Sequence, residues 1–353
     1  MSEPSTARQF WIRTPRHGEI VTAELPPRQP GQVLVRTIVS GISRGTECLV
    51  FRGEVPDSQR DVMRAPFQEG DFPAPVKYGY ASVGEVLETD HDRSDLKGQT
   101  VFCLYPHQDR YCVPAAAVTP VPAGVPAGRA ILAAHMETSV NAIWDARPTV
   151  GDRIVVIGAG VIGLLVAWLC RHVAGATVSV IDVNPAREPV ARALGVSFAT
   201  TPGHDEDADL VIHASGRPEG LIAALSIAGA EATIVDTSWY GTTSVALPLG
   251  EAFHSRRLTL KSSQVGRVPP DRATRWTRAR RLQLALELLA NSTLDVLISG
   301  ECAFDELPAV MATLSTAGSA DGTLCQRVRY GHAPSVVIPA DARRLAGPRL
   351  PPG

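Results

Sequence analysis

The stretch from Arg153 to Gly163 constrains the fold more than any other part of this 353-residue chain. Ile154, Val155, Val156 and Ile157 make an apolar run long enough for a buried strand, and it enters Gly158-x-Gly160-x-x-Gly163. An apolar helical pattern follows, then a second strand pattern from Thr177 to Ile181 that ends in Asp182. Strand, glycine turn, helix, second strand and acid, in that order, form the dinucleotide-binding fingerprint. Gly158 permits the tight turn, Gly160 lets backbone N–H groups approach a pyrophosphate at the helix N-terminus, and Gly163 lets the helix sit close on the strand. The cofactor site expected from this segment comprises Gly158, Gly160, Val161, Ile162, Gly163, Asp182, Val183, Asn184 and Arg187. Asp182 is placed to accept hydrogen bonds from the adenosine ribose, and its charge repels a 2′-phosphate, which favours NAD. Arg187 stands where an arginine sometimes meets that phosphate, so NADP stays open.

Composition bounds the rest. A chain of this length exceeds what one hydrophobic core usually serves, and 44% apolar residues can fill two. A formal charge of −2 gives no reason to expect nucleic acid or an anionic membrane as partner. The longest apolar stretch, around 154–169, is helix-sized and interrupted by glycine, and the first residues lack the basic start and apolar core of a signal peptide. A cytoplasmic enzyme acting on a small molecule is expected. Six cysteines without a C-x-x-C pair fit reduced structural thiols.

From about residue 18 to 120, segments such as 31–39, 80–87, 99–104 and 111–113 are short, β-branched and bounded by Pro and Gly, which predicts a small, mostly antiparallel β domain. A Pro- and Gly-rich link at 122–129 leads into a helical pattern over 130–146. From residue 150 strand patterns (153–157, 177–181, 209–215, 232–236, 258–263) alternate with helical ones, which specifies an α/β, doubly wound parallel sheet. A long helix is predicted near 273–290, another over 304–314, a closing strand over 323–330, and a loose tail thereafter. The segment 57–71 suits either a substrate lid or a plain surface excursion.

Four local phrases carry a family resemblance: Ser40 to Glu47 (SGISRGTE), Gly79 to Val86 (GYASVGEV), Val113 to Pro122 (VPAAAVTPVP) and Met136 to Trp144 (METSVNAIW). Together with the fingerprint they resemble the medium-chain dehydrogenase/reductase family, relatives of the zinc alcohol dehydrogenases. The first phrase is most similar to the branch containing bacteriochlorophyllide-type dehydrogenases. The resemblance implies a GroES-like catalytic domain over 1–122, a Rossmann domain over 123–295, a C-terminal return over 296–330 and a tail over 331–353. It also implies a homodimer, and it places the strand-end residues Ser215 and Gly216 beside the cofactor.

The departures from that family bear on mechanism. Where zinc members carry Cys, His and a third ligand, this chain has Ser43 (or Arg44), Tyr80 and Glu137. Two neutral oxygens and one carboxylate suit zinc poorly, and the four-cysteine structural lobe is missing, so no zinc is expected. His107 and His135 are the imidazoles that could rescue a metal site through geometry. Hydride transfer from a carbinol still needs its oxygen stabilised and its proton removed. By the resemblance, Tyr80 occupies the old ligand position, Thr46 matches the hydroxyl that relays the substrate proton, and Glu47 matches the acid that orients the ligand histidine. Glu47 is then expected to orient the Tyr80 phenol or raise its pKa. Glu137 and Lys77 are further catalytic candidates, and Trp239 to Gly241 candidate walls of the nicotinamide pocket. Three readings follow: a metal-independent NAD-linked alcohol dehydrogenase or carbonyl reductase, a zinc-free quinone or enoyl C=C reductase, and an inactive NAD-binding sensor or scaffold. A short-chain dehydrogenase is excluded, since the chain contains no Tyr-x-x-x-Lys.

Overall fold

The computed structural model describes residues 6–203, 207–316 and 322–331. The fingerprint segment is the centre of a six-stranded, wholly parallel sheet. From edge to edge its strands are Ser197–Ala199, Thr177–Ile181, Arg153–Ile157, Ala208–His213, Ala228–Asp236 and Thr259–Ser262. The strand order therefore reverses between Arg153–Ile157 and Ala208–His213, and a crevice opens outside the carboxyl ends of those two strands. Strands Arg153–Ile157 and Ala208–His213 are apolar on both faces because helices cover both. Val156, Leu210 and Ile212 pack with the fingerprint helix Val161–Cys170, while Val155, Val211 and Ile234 pack with the helix Pro218–Ile227.

The β domain is built around Gln32–Ile42, eleven residues paired antiparallel to Ser82–Glu88, Arg110–Pro114 and Cys325–Arg329. Val33, Val35, Val86, Val101, Tyr111 and Val113 are its buried face on one side. A hairpin of Thr6–Thr14 with His17–Glu24 adds a second sheet, lying earlier in the chain than the segments read as strands. Ile298–Ala303 is another strand that periodicity alone left out; it runs parallel to Cys325–Arg329, so the chain's return completes the first domain's sheet. The tail beyond Gly331 lies outside the described residues.

Two helices predicted from sequence are broken. The 273–290 segment is a turn of helix at Pro270–Ala273 and a separate helix Arg278–Leu288, because the Thr277 hydroxyl accepts the Arg280 N–H at 3.1 Å and starts a new helix. The 304–314 segment opens as a 3-10 turn, with Glu306 accepting the Ala303 N–H at 2.7 Å before Leu307–Leu314 begins. Segment 57–71 is tied down at its end, where Glu69–Gly70 pairs with Val76–Lys77. Among the described residues no helix is long and apolar enough to cross a membrane.

Candidate active site

The crevice begins at the fingerprint turn. Gly158 holds φ of 105°, and a Cβ there would lie 2.6 Å from the Ser215 backbone nitrogen. Any side chain would push apart the two strand ends that frame the crevice. A Cβ on Gly163 would sit 1.8 Å from the Gly158 carbonyl oxygen, so this glycine sets the distance between helix and strand. At Gly160, the N-cap of the Val161–Cys170 helix, a Cβ would meet no protein atom within 4 Å. Open space in front of unpaired helix N–H groups is the cradle a pyrophosphate fills. Val161 and Ile162 form the first turn behind it.

Asp182 sits one strand away. Its Oδ2 accepts the Ala159 N–H at 2.6 Å and its Oδ1 the Asn184 N–H at 2.9 Å. Two of a carboxylate's four lone-pair positions remain for ribose hydroxyls. Asn184 is a local cap that accepts the Ala186 N–H at 3.0 Å, and Val183 projects outward, 89% exposed. Arg187 departs from its expected place. It is buried, and its guanidinium donates to the carbonyls of Gly322 and Thr323 at 3.1 and 3.0 Å, tied to the C-terminal return rather than held ready for a phosphate.

The β domain supplies the other wall. Gln32–Ile42 runs into Ser43, the N-cap of the helix Arg44–Phe51 that carries Thr46 and Glu47. Glu47 is buried; its Oε1 accepts the Ser43 N–H at 2.8 Å and its Oε2 takes the His107 Nε2–H at 2.9 Å. A carboxylate only accepts, so in the neutral ring His107 Nδ1 carries a lone pair, and it accepts the Ser40 hydroxyl at 2.8 Å. Ser40 in turn accepts from the Tyr330 hydroxyl at 3.0 Å. Gly79 lies against the imidazole, its absent Cβ 3.0 Å from His107 Cδ2, and Tyr80 follows directly. Tyr80 is half-buried, with Tyr78 edge-on at 5.9 Å. Burial first and the Glu47 charge second hold its phenol above the ordinary range, with the adjoining Ser43 and Thr46 hydroxyls opposing. Glu47 contributes its charge to the raised Tyr80 phenol. The carboxylate is committed to His107 and Ser43 rather than to orienting Tyr80.

Glu137 and Lys77 are each held by partners within the protein. Glu137 accepts Arg281 Nε–H at 3.1 Å in a buried pair that, with Asn141, fastens the helix Ala133–Ala146 to Arg278–Leu288. Burial raises this carboxyl and Arg281 pulls it back. Lys77 is wholly buried, donating to Glu69 and to Gln108 Oε1 at 2.7 Å over the Tyr105 ring. Neither is disposed toward a substrate, because each charge already has its partner. His135 is buried with Nδ1 unpartnered, and desolvation lowers its pKa to about 4. Among the described residues no group of three or more His, Cys, Asp or Glu could hold a metal. The donors that replace the zinc ligands do not fit one either: Ser43 is a hydroxyl, Tyr80 a phenol biased toward protonation, and Glu137 is bound to Arg281.

A second cluster, around His213, lies at the crevice. His213, wholly buried at the end of Ala208–His213, contacts Asp236 Oδ1 through Nδ1 at 2.9 Å and Ser215 Oγ through Nε2 at 2.6 Å. Asp236 also accepts the Ser238 N–H at 2.9 Å and the Tyr240 hydroxyl at 3.0 Å. Burial works against that carboxylate, yet these donors, His213 foremost, hold its pKa below the ordinary value. The loop beyond reaches the β domain: Trp239 packs on the apolar cluster that supports Tyr80, and Gly241 lies against Leu49 and the Glu54 carbonyl. The only sequence signal was an acid and a histidine at the ends of neighbouring strands.

No family model matches the chain. It is 26% identical over 309 residues to D-guloside 3-dehydrogenase of Escherichia coli (strain K12), spanning 80% of this chain and 87% of that protein. The fold is shared with an NADP-bound putative zinc-binding dehydrogenase from Sinorhizobium meliloti 1021, at TM-score 0.72 and 18% identity over 92% of this chain and all of that one. It is shared equally with an NAD complex of acetophenone reductase from Geotrichum candidum NBRC 4597, at TM-score 0.74 and 14% identity over 93% and 98% of the two chains.

Proposed function

We propose, from the premise that this chain is a medium-chain dehydrogenase/reductase, that it is an NAD-linked, zinc-independent oxidoreductase acting on a hydroxyl or carbonyl group of a small polar metabolite. Hydroxylated sugars are the first class to try, given the kinship with D-guloside 3-dehydrogenase. The observation that carries the reading is the meeting of two walls. The loop from the cofactor sheet, through Trp239 and Gly241, closes on the same apolar cluster and helix that present Tyr80 and Thr46.

When bound, the nicotinamide gives or takes the hydride. Tyr80 donates its phenolic proton in a hydrogen bond to the substrate oxygen, and its raised pKa keeps that proton in place. Thr46 passes the carbinol proton toward the ribose. Glu47 and His107 fix the start of the helix that carries Thr46. Asp182 selects NAD by charge, and Arg187, bound to the return segment, offers a 2′-phosphate little compensation. The reading extends to a soluble, cytoplasmic homodimer with no nucleic-acid or membrane partner.

The test is turnover of a panel of polyols, glycosides and their keto forms with NAD(H) and NADP(H), before and after exhaustive chelation, with elemental analysis alongside. NAD-linked turnover that chelation leaves untouched, at far below one zinc per chain, supports the reading. Stoichiometric zinc whose removal abolishes activity overturns the mechanism.

A further inference from the structure

Strand Gln32–Ile42 pairs along one edge with Ser82–Glu88. Its other edge carries two partners end to end: Arg110–Pro114 lies against residues 32–36 and Cys325–Arg329 against residues 39–42. A cavity of about 430 Å³ opens where those two strands meet, beside Thr37, Ile38 and Val39, and none of the residues that frame the cofactor crevice lines it. That volume suits a small metabolite.

The register gathers charge around this gap. Arg36 stands opposite Glu85 and Arg110, while Val39 stands opposite Val83 and Arg329. Glu85 and Val83 are two residues apart and share a face of the sheet. The register shift between Thr37 and Val39 therefore puts Arg36, Arg110, Arg329 and, two residues from it, Arg327 on one face. Without the extra residue the two pairs of arginines would point to opposite faces. All four line the cavity, and so does Arg8, in an exposed ion pair with Asp305.

These guanidiniums meet four carboxylates. Arg36 pairs with Glu85 at 2.6 Å, and Asp109 accepts the Arg8 backbone N–H at 2.8 Å. Glu301 is shared, with Arg327 Nε on one oxygen and Arg329 Nε on the other, both at 2.6 Å. Arg327 is the least satisfied. It is 5% exposed; its Nη2 is close enough to Glu301 for an ion pair but makes no hydrogen bond, and among the described residues no acceptor meets Nη1. A guanidinium has five N–H donors, and a buried one left with a single hydrogen bond lacks acceptors.

We propose that this cavity is an anion site, separate from the cofactor crevice, which takes the phosphate or carboxylate group of a small metabolite, with Arg327 as its buried anchor and Arg329 as an outer donor. The planar fork of an arginine presents paired N–H groups to either group. The site is independent of the cofactor and of the reaction.

Calorimetric titration of the full chain with inorganic phosphate and with succinate, at constant ionic strength set by chloride, tests this. At least one of the two should bind saturably with Kd below about 10 mM, and the tighter one identifies the preferred group. Arg327→Gln should weaken that binding about 10- to 100-fold, the loss of a charge-assisted hydrogen bond. Arg329→Gln, at a half-exposed side chain, should weaken it about 3- to 10-fold. Phosphate held at the fingerprint turn would be common to the parent and both variants, so only the difference between them reports on this site. Affinities within about twofold of the parent in both variants overturn the proposal, as does the absence of binding by either anion up to about 10 mM. The Arg329→Gln arm decides even if Arg327→Gln does not fold.

Discussion

The described residues include two serine–histidine–carboxylate–tyrosine clusters, which differ in wiring and in burial. In the β domain, Tyr330, Ser40, His107 and Glu47 close on one another, and all four are buried. At the crevice, Ser215, His213, Asp236 and Tyr240 are the same four residue types, but the tyrosine donates to the carboxylate rather than to the serine, and Ser215, Asp236 and Tyr240 are only half-buried. The same four residue types thus give two outcomes. The sealed cluster meets its hydrogen-bonding needs within the protein and works as a brace across four segments of chain. The crevice cluster is not sealed in this way, since three of its four residues are half-buried.

The sharpest way to break this comparison is to remove one member of each cluster. His107→Ala leaves the Glu47 carboxylate buried without its main partner and should cost about 3–5 kcal/mol. Ser215→Ala should change stability by less than about 0.5 kcal/mol. Urea unfolding of both variants checks the contrast, and a His107→Ala loss below about 1 kcal/mol, against that expectation, would show that the sealed cluster is no brace.

His135 supplies the missing control, a buried histidine without a carboxylate. Its folded pKa of about 4 lies below the ordinary 6.5, so between those values the unfolded chain binds a proton that the folded chain refuses. Its contribution to stability is fully present above pH 6.5 and is lost as the pH falls toward 4, on the order of 3 kcal/mol in all. Unfolding free energies between pH 7 and pH 4 should therefore fall more steeply for the parent than for His135→Leu. Parallel curves refute the assignment.

Tyr80, its phenol raised by burial and then by the charge of Glu47, packs on the same apolar cluster as Trp239. Tyr80→Phe should lower kcat about 100-fold with cofactor affinity nearly unchanged, and Thr46→Val should act non-additively with it. Single-turnover hydride transfer in the two single variants and the double is the measurement. Rates within about twofold of the parent, where loss of an acid–base group predicts far more, would assign the substrate oxygen to another donor.

The smallest expected effect is at the adenosine end. Asp182→Ala should narrow the preference for NAD over NADP by about tenfold, the loss of one charge and its ribose hydrogen bonds. Paired titrations decide it, and tighter NADP binding by the parent would remove the premise.

The fingerprint was legible because its information is local. Strands Arg153–Ile157 and Thr177–Ile181 have the bounds their apolar runs predict, and Gly158, Gly160, Gly163 and Asp182 act within thirty residues of one another. The two-domain α/β architecture followed from the alternation of periods over longer stretches. Helix ends were less legible, since a single capping hydroxyl such as Thr277 breaks a helix that hydrophobic spacing would carry through. What only the tertiary structure decided was the partner of each charge. Glu137 reads as a metal-site relic until Arg281, 144 positions away, lies on it. Lys77 reads as a spare cation until Glu69 and Gln108 enclose it. His107 meets Glu47 across 60 residues and Ser40 meets Tyr330 across 290. A sequence written in one dimension carries periodicity and turn chemistry directly, because both depend on near neighbours. It carries ion pairs and hydrogen-bond polarity only through the packing that brings distant side chains to within 3 Å, and that packing separates a catalytic carboxylate from a brace.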